Sequence, residues 1–189
     1  MAKKSPTFNA ALEPLAGELP RDTAAAVGNL VARHMYLDWL LGQVMYDLME
    51  ISIKQGRVIM KLPRPRVFVA AVRDLFDFHG LDAPFDFDTF AEKLEAAHVA
   101  CRELTRSVYM SDDRGTAGTI HLVRSPWDPG PGGHLQPESQ RVDAKLLAAK
   151  RRVVEDAISS AEKLRALTDK LLRDSHAKRS RPGFDRRRK

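Results

Sequence analysis

The sequence predicts an all-α fold, a four-helix up-and-down bundle with a small β-hairpin in an insert between the third and fourth helices. Two observations support this prediction. Apolar residues recur at three- and four-residue spacing through four long stretches, as on the buried face of an amphipathic helix. After the third stretch, residues 111–140 contain five glycines and four prolines, a density that excludes helix.

Length and composition indicate one domain of an ordinary cytoplasmic protein. The 189 residues suffice for a sizeable core, and the single cysteine, Cys101, excludes an internal disulfide. No apolar run is long enough to span a membrane, and the N-terminus lacks the apolar segment of a secretion signal. We therefore expect a cytoplasmic location, either in a bacterium or in a host cell if the gene is viral.

The chain divides into a leader, a helical domain and a tail. Residues 1–20 contain three prolines and predict an irregular leader, and residues 21–176 predict the helical domain. Asp22 or Thr23 is the expected N-cap of the first helix, which extends over about thirty residues, or roughly 45 Å.

Glycine and proline mark the predicted boundaries of the second helix. Gly56 can end a helix, and a short helical turn is expected at residues 57–62. Pro65 suits a first turn, so the second helix is placed at residues 67–79, closed by Gly80.

The third helix is predicted at residues 87–109. Asp86 is its expected N-cap, which places Phe85 and Phe90 at the two positions of a hydrophobic staple. Within the insert at residues 111–140, residues 119–123 have the β-branched and apolar character of a strand, with a turn through residues 113–115.

The fourth helix is predicted at residues 137–176, a stretch with no glycine and no proline after its first residue. A helix of this length extends past the second and third helices. Its C-terminal half must therefore be covered by the first helix or by another subunit.

The whole net charge of +6 is located in the last 17 residues. Residues 173–189 contain eight basic and two acidic side chains, so the rest of the chain is neutral. A basic tail of this kind, residues 177–189 following the helical domain, indicates an arm or tether rather than a basic globular face. Arginine and lysine could neutralise phosphates, and an aromatic residue could stack on a base; the expected nucleic-acid-binding residues are Lys178, Arg179, Arg181, Phe184, Arg186, Arg187, Arg188 and Lys189. A solubilising tail, or an arm on an acidic protein neighbour, explains the same residues.

The order of these features resembles the HEPN family of helical bundles. The resemblance is carried by a long first helix, the break KQGRVIM, a helix ending Asp-Phe-His-Gly, and a helix that runs into Arg-x-x-x-Arg-Ser before a hairpin. It implies a metal-independent RNA-cleaving site of arginine, a polar residue and histidine. Arg106 and Ser107 match the first two, while residues 109–111 replace the histidine; the remaining candidate is His121, in the insert. The departure predicts a bundle that binds without cleaving.

Two pairs of a histidine and a carboxylate have the spacing of metal ligands on one helix face. Asp38 follows His34 by four residues, and Glu95 precedes His98 by three, which matches one half of a di-iron site. A second such half is absent from the sequence, so we predict no metal, no cofactor and locally hydrogen-bonded histidines.

Three functions follow in order of preference. The first is a non-catalytic, nucleic-acid-associated protein, a homodimer whose tail contacts RNA ahead of DNA. The second, from another class, is a structural or assembly protein, viral or plasmid-borne, whose leader, insert and tail contact neighbouring subunits. The third is a ribonuclease with Arg106, Ser107 and His121 as catalytic residues.

Overall fold

The chain is mostly helical and carries a small antiparallel sheet. The computed structural model describes residues 13–15, 18–59, 64–82, 84–111, 119–123 and 139–179. The described helices and strands are, in chain order, β1 (Glu13–Pro14), α1 (Arg21–Leu48), α2 (Ile53–Ile59), α3 (Pro65–His79), α4 (Phe87–Arg106), β2 (Val108–Ser111), β3 (Ile120–Val123), β4 (Ser139–Arg141) and α5 (Ala144–Arg179).

Helix α1 begins slightly earlier than predicted. Pro20 occupies its N-cap position, so the expected cap at Asp22 or Thr23 is wrong. Asp22 lies in the first turn instead, where its carboxylate favours the helix dipole. The helix ends at Leu48, and two residues later Glu50 has a left-handed φ of 53°.

Helix α2 begins four residues before the predicted turn at residues 57–62 and overlaps it at residues 57–59, and it includes Gly56, which was expected to end a helix. The glycine is required there by a close approach. A Cβ at Gly56 would lie 2.2 Å from the ring of Tyr46 on α1. The absent side chain thus lets α2 fold back against the end of α1.

The predicted boundaries of α3 are nearly correct. The helix begins at Pro65, two residues earlier than expected, because proline is well suited to a first turn. Gly80 follows it with φ 63°, and its N–H donates to the carbonyl oxygen of Asp77. The predicted closure of this helix by Gly80 is confirmed, and the left-handed φ is typical of glycine at this position.

The predicted start of α4 is also confirmed. The carboxylate of Asp86 accepts hydrogen bonds from the backbone N–H and the hydroxyl of Thr89, at 3.0 and 2.6 Å. The rings of Phe85 and Phe90 pack edge to face with centroids 5.4 Å apart, as a hydrophobic staple requires.

The insert forms more sheet than predicted, and both flanking helices are correspondingly shorter. Helix α4 ends at Arg106 rather than at Tyr109, since Ser107 is extended and β2 follows it. Residues 139–141 form β4, so α5 begins at Ala144 instead of residue 137, and it continues to Arg179. The predicted strand at residues 119–123 is present as β3, whereas the expected turn at 113–115 lies outside the described residues.

The leader is not irregular throughout, because it supplies the edge strand of the sheet. The strand order is β1-β2-β3-β4, all antiparallel, with Glu13 opposite Ser111 and Pro14 opposite Met110. Leu15 adds a hydrogen bond from its N–H to the carbonyl oxygen of Tyr109. Part of the leader is therefore held on the folded domain.

Helices α1 and α5 run parallel to each other. Arg33, near the start of α1, pairs with Glu155, and Glu50, just beyond its end, pairs with His176. In an up-and-down arrangement the first and last helices would be antiparallel, so this feature of the predicted fold is wrong.

The departure from the predicted up-and-down order begins at α3. The imidazole of His79, at the end of α3, lies 2.6 Å from the carbonyl oxygen of Leu48 at the end of α1. Helix α3 is thus parallel to α1, and only α4 runs in the opposite direction among the four long helices.

A single core joins the long helices and the sheet. Val44, Val72, Ala97 and Leu164 are fully buried representatives of α1, α3, α4 and α5. Leu122 of β3 belongs to the same cluster. Helix α5 is buried within its own chain as far as Thr168, whose hydroxyl donates to the carbonyl oxygen of Leu164.

Candidate functional site

Arg106 and Ser107 lie at the junction of α4 and β2. Arg106 is the last helical residue and is exposed, and Ser107 is the extended residue that follows it. His121 lies on β3 directly opposite Met110. Ser107 precedes Met110 by three residues, or about 10 Å of extended chain, so the register does not set His121 opposite either residue.

The two faces of the sheet have different environments. Tyr109 and Leu122 lie opposite each other, and both contact the core. His121 belongs to the other face, between Met110 on one side and Arg141 on the other. His121 thus lies on the sheet face directed away from the helical core.

Tyr109 has a structural role at the position where the HEPN resemblance leads one to expect a histidine. Its hydroxyl donates a 2.8 Å hydrogen bond to the carbonyl oxygen of Leu104, in the last turn of α4. Burial raises the pKa of this hydroxyl, which therefore remains a neutral donor. The side chain fixes β2 beneath the end of α4.

The predicted nucleic-acid-binding residues lie at or beyond the end of the described chain. Lys178 and Arg179 belong to the last turn of α5. The structure describes their backbone but not their side chains. The other six lie outside the described residues: Arg181, Phe184, Arg186, Arg187, Arg188 and Lys189.

A cavity that the sequence did not predict as a site lies between α1, α3 and α4. Its volume is about 220 Å³. It brings together His34, Asp38 and His98, three of the four residues of the two histidine–carboxylate pairs, and it adds Arg64, the residue that precedes α3. Its lining residues are His34, Leu37, Asp38, Leu41, Arg64, Pro65, Phe68, Leu94 and His98.

The polar side of this cavity is organised around His34. Its Nδ1 lies 3.5 Å from an Oδ2 of Asp38, one turn further along α1. Its ring centroid is 5.7 Å from that of His98 on α4. The side chain of His34 is 13% exposed and that of Asp38 is 47% exposed, so the carboxylate meets solvent while the imidazole is largely enclosed.

Cys101 lies on α4 about one turn beyond His98. Burial raises the pKa of its thiol, and the negative charge of Asp38 raises it further. Since the thiolate is the nucleophilic form, both effects disfavour reaction at this thiol.

A second polar cluster follows the contact between α1 and α5. The guanidinium of Arg33 donates two hydrogen bonds to the carboxylate of Glu155, at 2.8 and 2.5 Å, which lowers the pKa of Glu155. Further along, the guanidinium of Arg165 lies over the ring of Trp39, 5.2 Å from its centroid. Tyr36 stacks on the same indole at 5.8 Å.

The described residues contain no group of three or more His, Cys, Asp and Glu side chains that could hold a metal ion. Within the same part of the chain, no helix combines the length and apolar character needed to cross a membrane. The chain matches none of the protein-family models, curated proteins or solved structures with which it was compared.

Some residues of the cavity belong to patterns visible in the sequence, but their combination could not be predicted from it. The spacings of His34 with Asp38 and of Glu95 with His98 indicate residues on one helix face. Neither spacing shows that α1 and α4 bring the two imidazoles together. Arg64 carries no pattern of its own, because it lies in the irregular segment before α3.

Proposed function

We propose that the chain is a non-catalytic, nucleic-acid-associated protein with a helical core and a basic C-terminal arm. The observation that carries the proposal is the distribution of charge: residues 173–189 contain the whole net charge of +6. The first seven of these residues, 173–179, form the end of α5, a 36-residue helix whose middle is buried in the core. A rigid helix leading into a cationic segment favours sequence-independent contact with phosphates.

The position of the family-type residues supports a binding role over cleavage. The strand register places neither Arg106 nor Ser107 opposite His121. The hydroxyl of Tyr109 is hydrogen-bonded to the carbonyl oxygen of Leu104. We therefore infer that the resemblance to HEPN bundles, if it reflects ancestry, concerns the helical scaffold and not its cleavage chemistry.

The test uses the full-length chain with five tail cations neutralised: Arg181, Arg186, Arg187, Arg188 and Lys189, each to Gln. The matched control replaces five exposed cations of the folded domain with Gln, namely Arg66, Lys145, Arg152, Lys163 and Lys170. Affinity for single-stranded RNA is measured by fluorescence anisotropy at several salt concentrations.

The tail variant should bind more weakly, and its slope of log affinity against log salt should fall by about 0.7 for each lost phosphate contact. The control variant should retain the original slope. Equal slopes in the unmodified protein and the tail variant contradict the proposal.

A structural or assembly role is the second candidate, and the position of β1 favours it. A leader segment that adds a strand to β2 of its own chain can add the same strand to β2 of a second copy. Exposed Met35, Tyr36 and Trp39 supply an apolar surface on α1. Light scattering across a concentration series tests this candidate, since mass that does not change from the monomer value rules it out.

The third candidate is a ribonuclease in which Arg106, Ser107 and His121 act together. Single-stranded RNA is incubated with the protein and with the His121→Ala variant. Cleavage that depends on His121 would replace the non-catalytic proposal, whereas equal cleavage, or none by either protein, removes this candidate.

A further inference from the structure

The cavity between α1, α3 and α4 has an apolar floor and a charged rim. Leu37, Phe68 and Leu94 are 2%, 1% and 2% exposed and form part of the floor. Arg64 and His98 are exposed residues at the opening. This separation of apolar and polar surface is typical of sites that bind a ligand with one polar end.

The charged rim favours a ligand whose polar end is negatively charged. Arg64 is permanently cationic and offers donors arranged for an oxyanion. His34 and His98 add ring nitrogens that can donate hydrogen bonds, and Nδ1 of His34 lies 3.5 Å from Oδ2 of Asp38. Because Asp38 is the acidic residue of the lining, an anion would approach from the side of Arg64 and His98.

We propose that this cavity binds a small amphiphilic anion, an oxyanion head carried on a short apolar or aromatic group. The head contacts Arg64, His98 and His34, and the apolar group lies on Leu37, Phe68 and Leu94. This site is separate from the tail and does not depend on nucleic-acid binding.

The volume of the cavity limits the size of the group that a ligand can bury in it. A volume of about 220 Å³ corresponds to roughly seven water molecules at about 30 Å³ each. That space accommodates one ring or a short alkyl chain beneath a charged group at the opening. Phenyl phosphate therefore represents the expected class, a phosphate monoester with a single apolar ring.

The first experiment titrates the full-length protein with phenyl phosphate, phenol and inorganic phosphate by calorimetry. Proton NMR of the histidine rings follows the same titrations, with the His98→Gln variant assigning one of the signals. Phenyl phosphate should give saturable binding tighter than that of either fragment, and it should shift the signals of His34 and His98. Absence of saturable binding, or equally tight binding of phenol, overturns the proposal.

The second experiment locates the site with exposed residues, so that folding is preserved. Arg64→Gln and His98→Gln should each weaken phenyl phosphate about tenfold or more, because each removes a donor to a charged group. Arg66→Gln and Glu95→Gln are matched controls, since both residues are exposed neighbours outside the lining. Thermal unfolding confirms that all four variants fold. Equal affinities across the four variants overturn the assignment to this cavity.

Discussion

Asp47 is a residue whose ionisation opposes folding. Burial raises the pKa of its carboxyl, the charge of Asp169 raises it further, and Arg165 partly offsets both. A raised pKa means that the folded state holds the proton more tightly than the unfolded state. The resulting stabilisation is complete below the ordinary aspartate pKa and is lost as pH rises through the folded-state pKa.

Asp47→Asn should therefore stabilise the protein at neutral pH, by less than about 1 kcal/mol because the site is partly solvated. The gain in melting temperature should disappear as the pH falls below about 4, where the unfolded-state carboxyl is protonated as well. Asp74→Asn, at an exposed position on α3, is the control and should change little. Destabilisation by Asp47→Asn at neutral pH would contradict the assigned direction.

Gly56 and Gly28 provide a matched pair of helical glycines. Gly56→Ala should destabilise the fold by about 1–3 kcal/mol, because the new Cβ would overlap the ring of Tyr46. Gly28→Ala meets no heavy atom within 4 Å and should stabilise α1 by about 0.5–1 kcal/mol. Chemical denaturation measures both changes, and a change of the same sign in both variants would be inconsistent with the described contact.

At the scale of elements, Tyr109 connects the sheet to α4. Tyr109→Phe should cost about 1 kcal/mol, because it leaves the part-buried carbonyl oxygen of Leu104 without this donor. Tyr36→Phe is the control, since its hydroxyl makes only an exposed 3.3 Å contact with Glu162 and should contribute close to zero. Hydrogen exchange should show faster opening of β2 in the Tyr109 variant alone, and equal behaviour of the two variants would refute this role.

The elements that could be predicted from the sequence are those with a local chemical signal. The left-handed conformation at the end of α3 favours glycine, which Gly80 supplies. Asp86 supplies an acceptor for the N–H of Thr89, so both caps are encoded by neighbouring residues. The strands β1 and β4 have no such signal. Glu13–Pro14 and Ser139–Arg141 are extended because β2 and β3 offer them hydrogen-bonding partners that are distant in sequence.

The same limit applies to the candidate cavity and to the direction of the helices. Apolar periodicity shows which face of α1 is buried, but not which helix covers it. Contacts between residues distant in sequence, such as that of His79 with Leu48, show that α3 runs parallel to α1. The meeting of His34 with His98 is a consequence of that arrangement.

At the scale of the whole molecule, the packing of α5 decides whether one chain is a complete folding unit. The sequence allowed its long apolar stripe to be covered by the first helix or by a second subunit. Val154, Ile158 and Leu164 are buried by the chain itself, with 0%, 2% and 0% exposure. Among the described residues, this part of α5 is therefore covered by its own chain.

Leu164→Ala should accordingly lower the free energy of unfolding by about 2–5 kcal/mol, since it leaves a cavity beneath α1 and α4. At concentrations where light scattering shows only monomer, the unmodified protein should still unfold cooperatively, because a core completed within one chain does not depend on mass action. Lys163→Ala, at the exposed neighbouring position, is the control and should remain within about 0.5 kcal/mol. Loss of cooperative unfolding in the monomeric range would show that α5 takes part of its cover from a second copy.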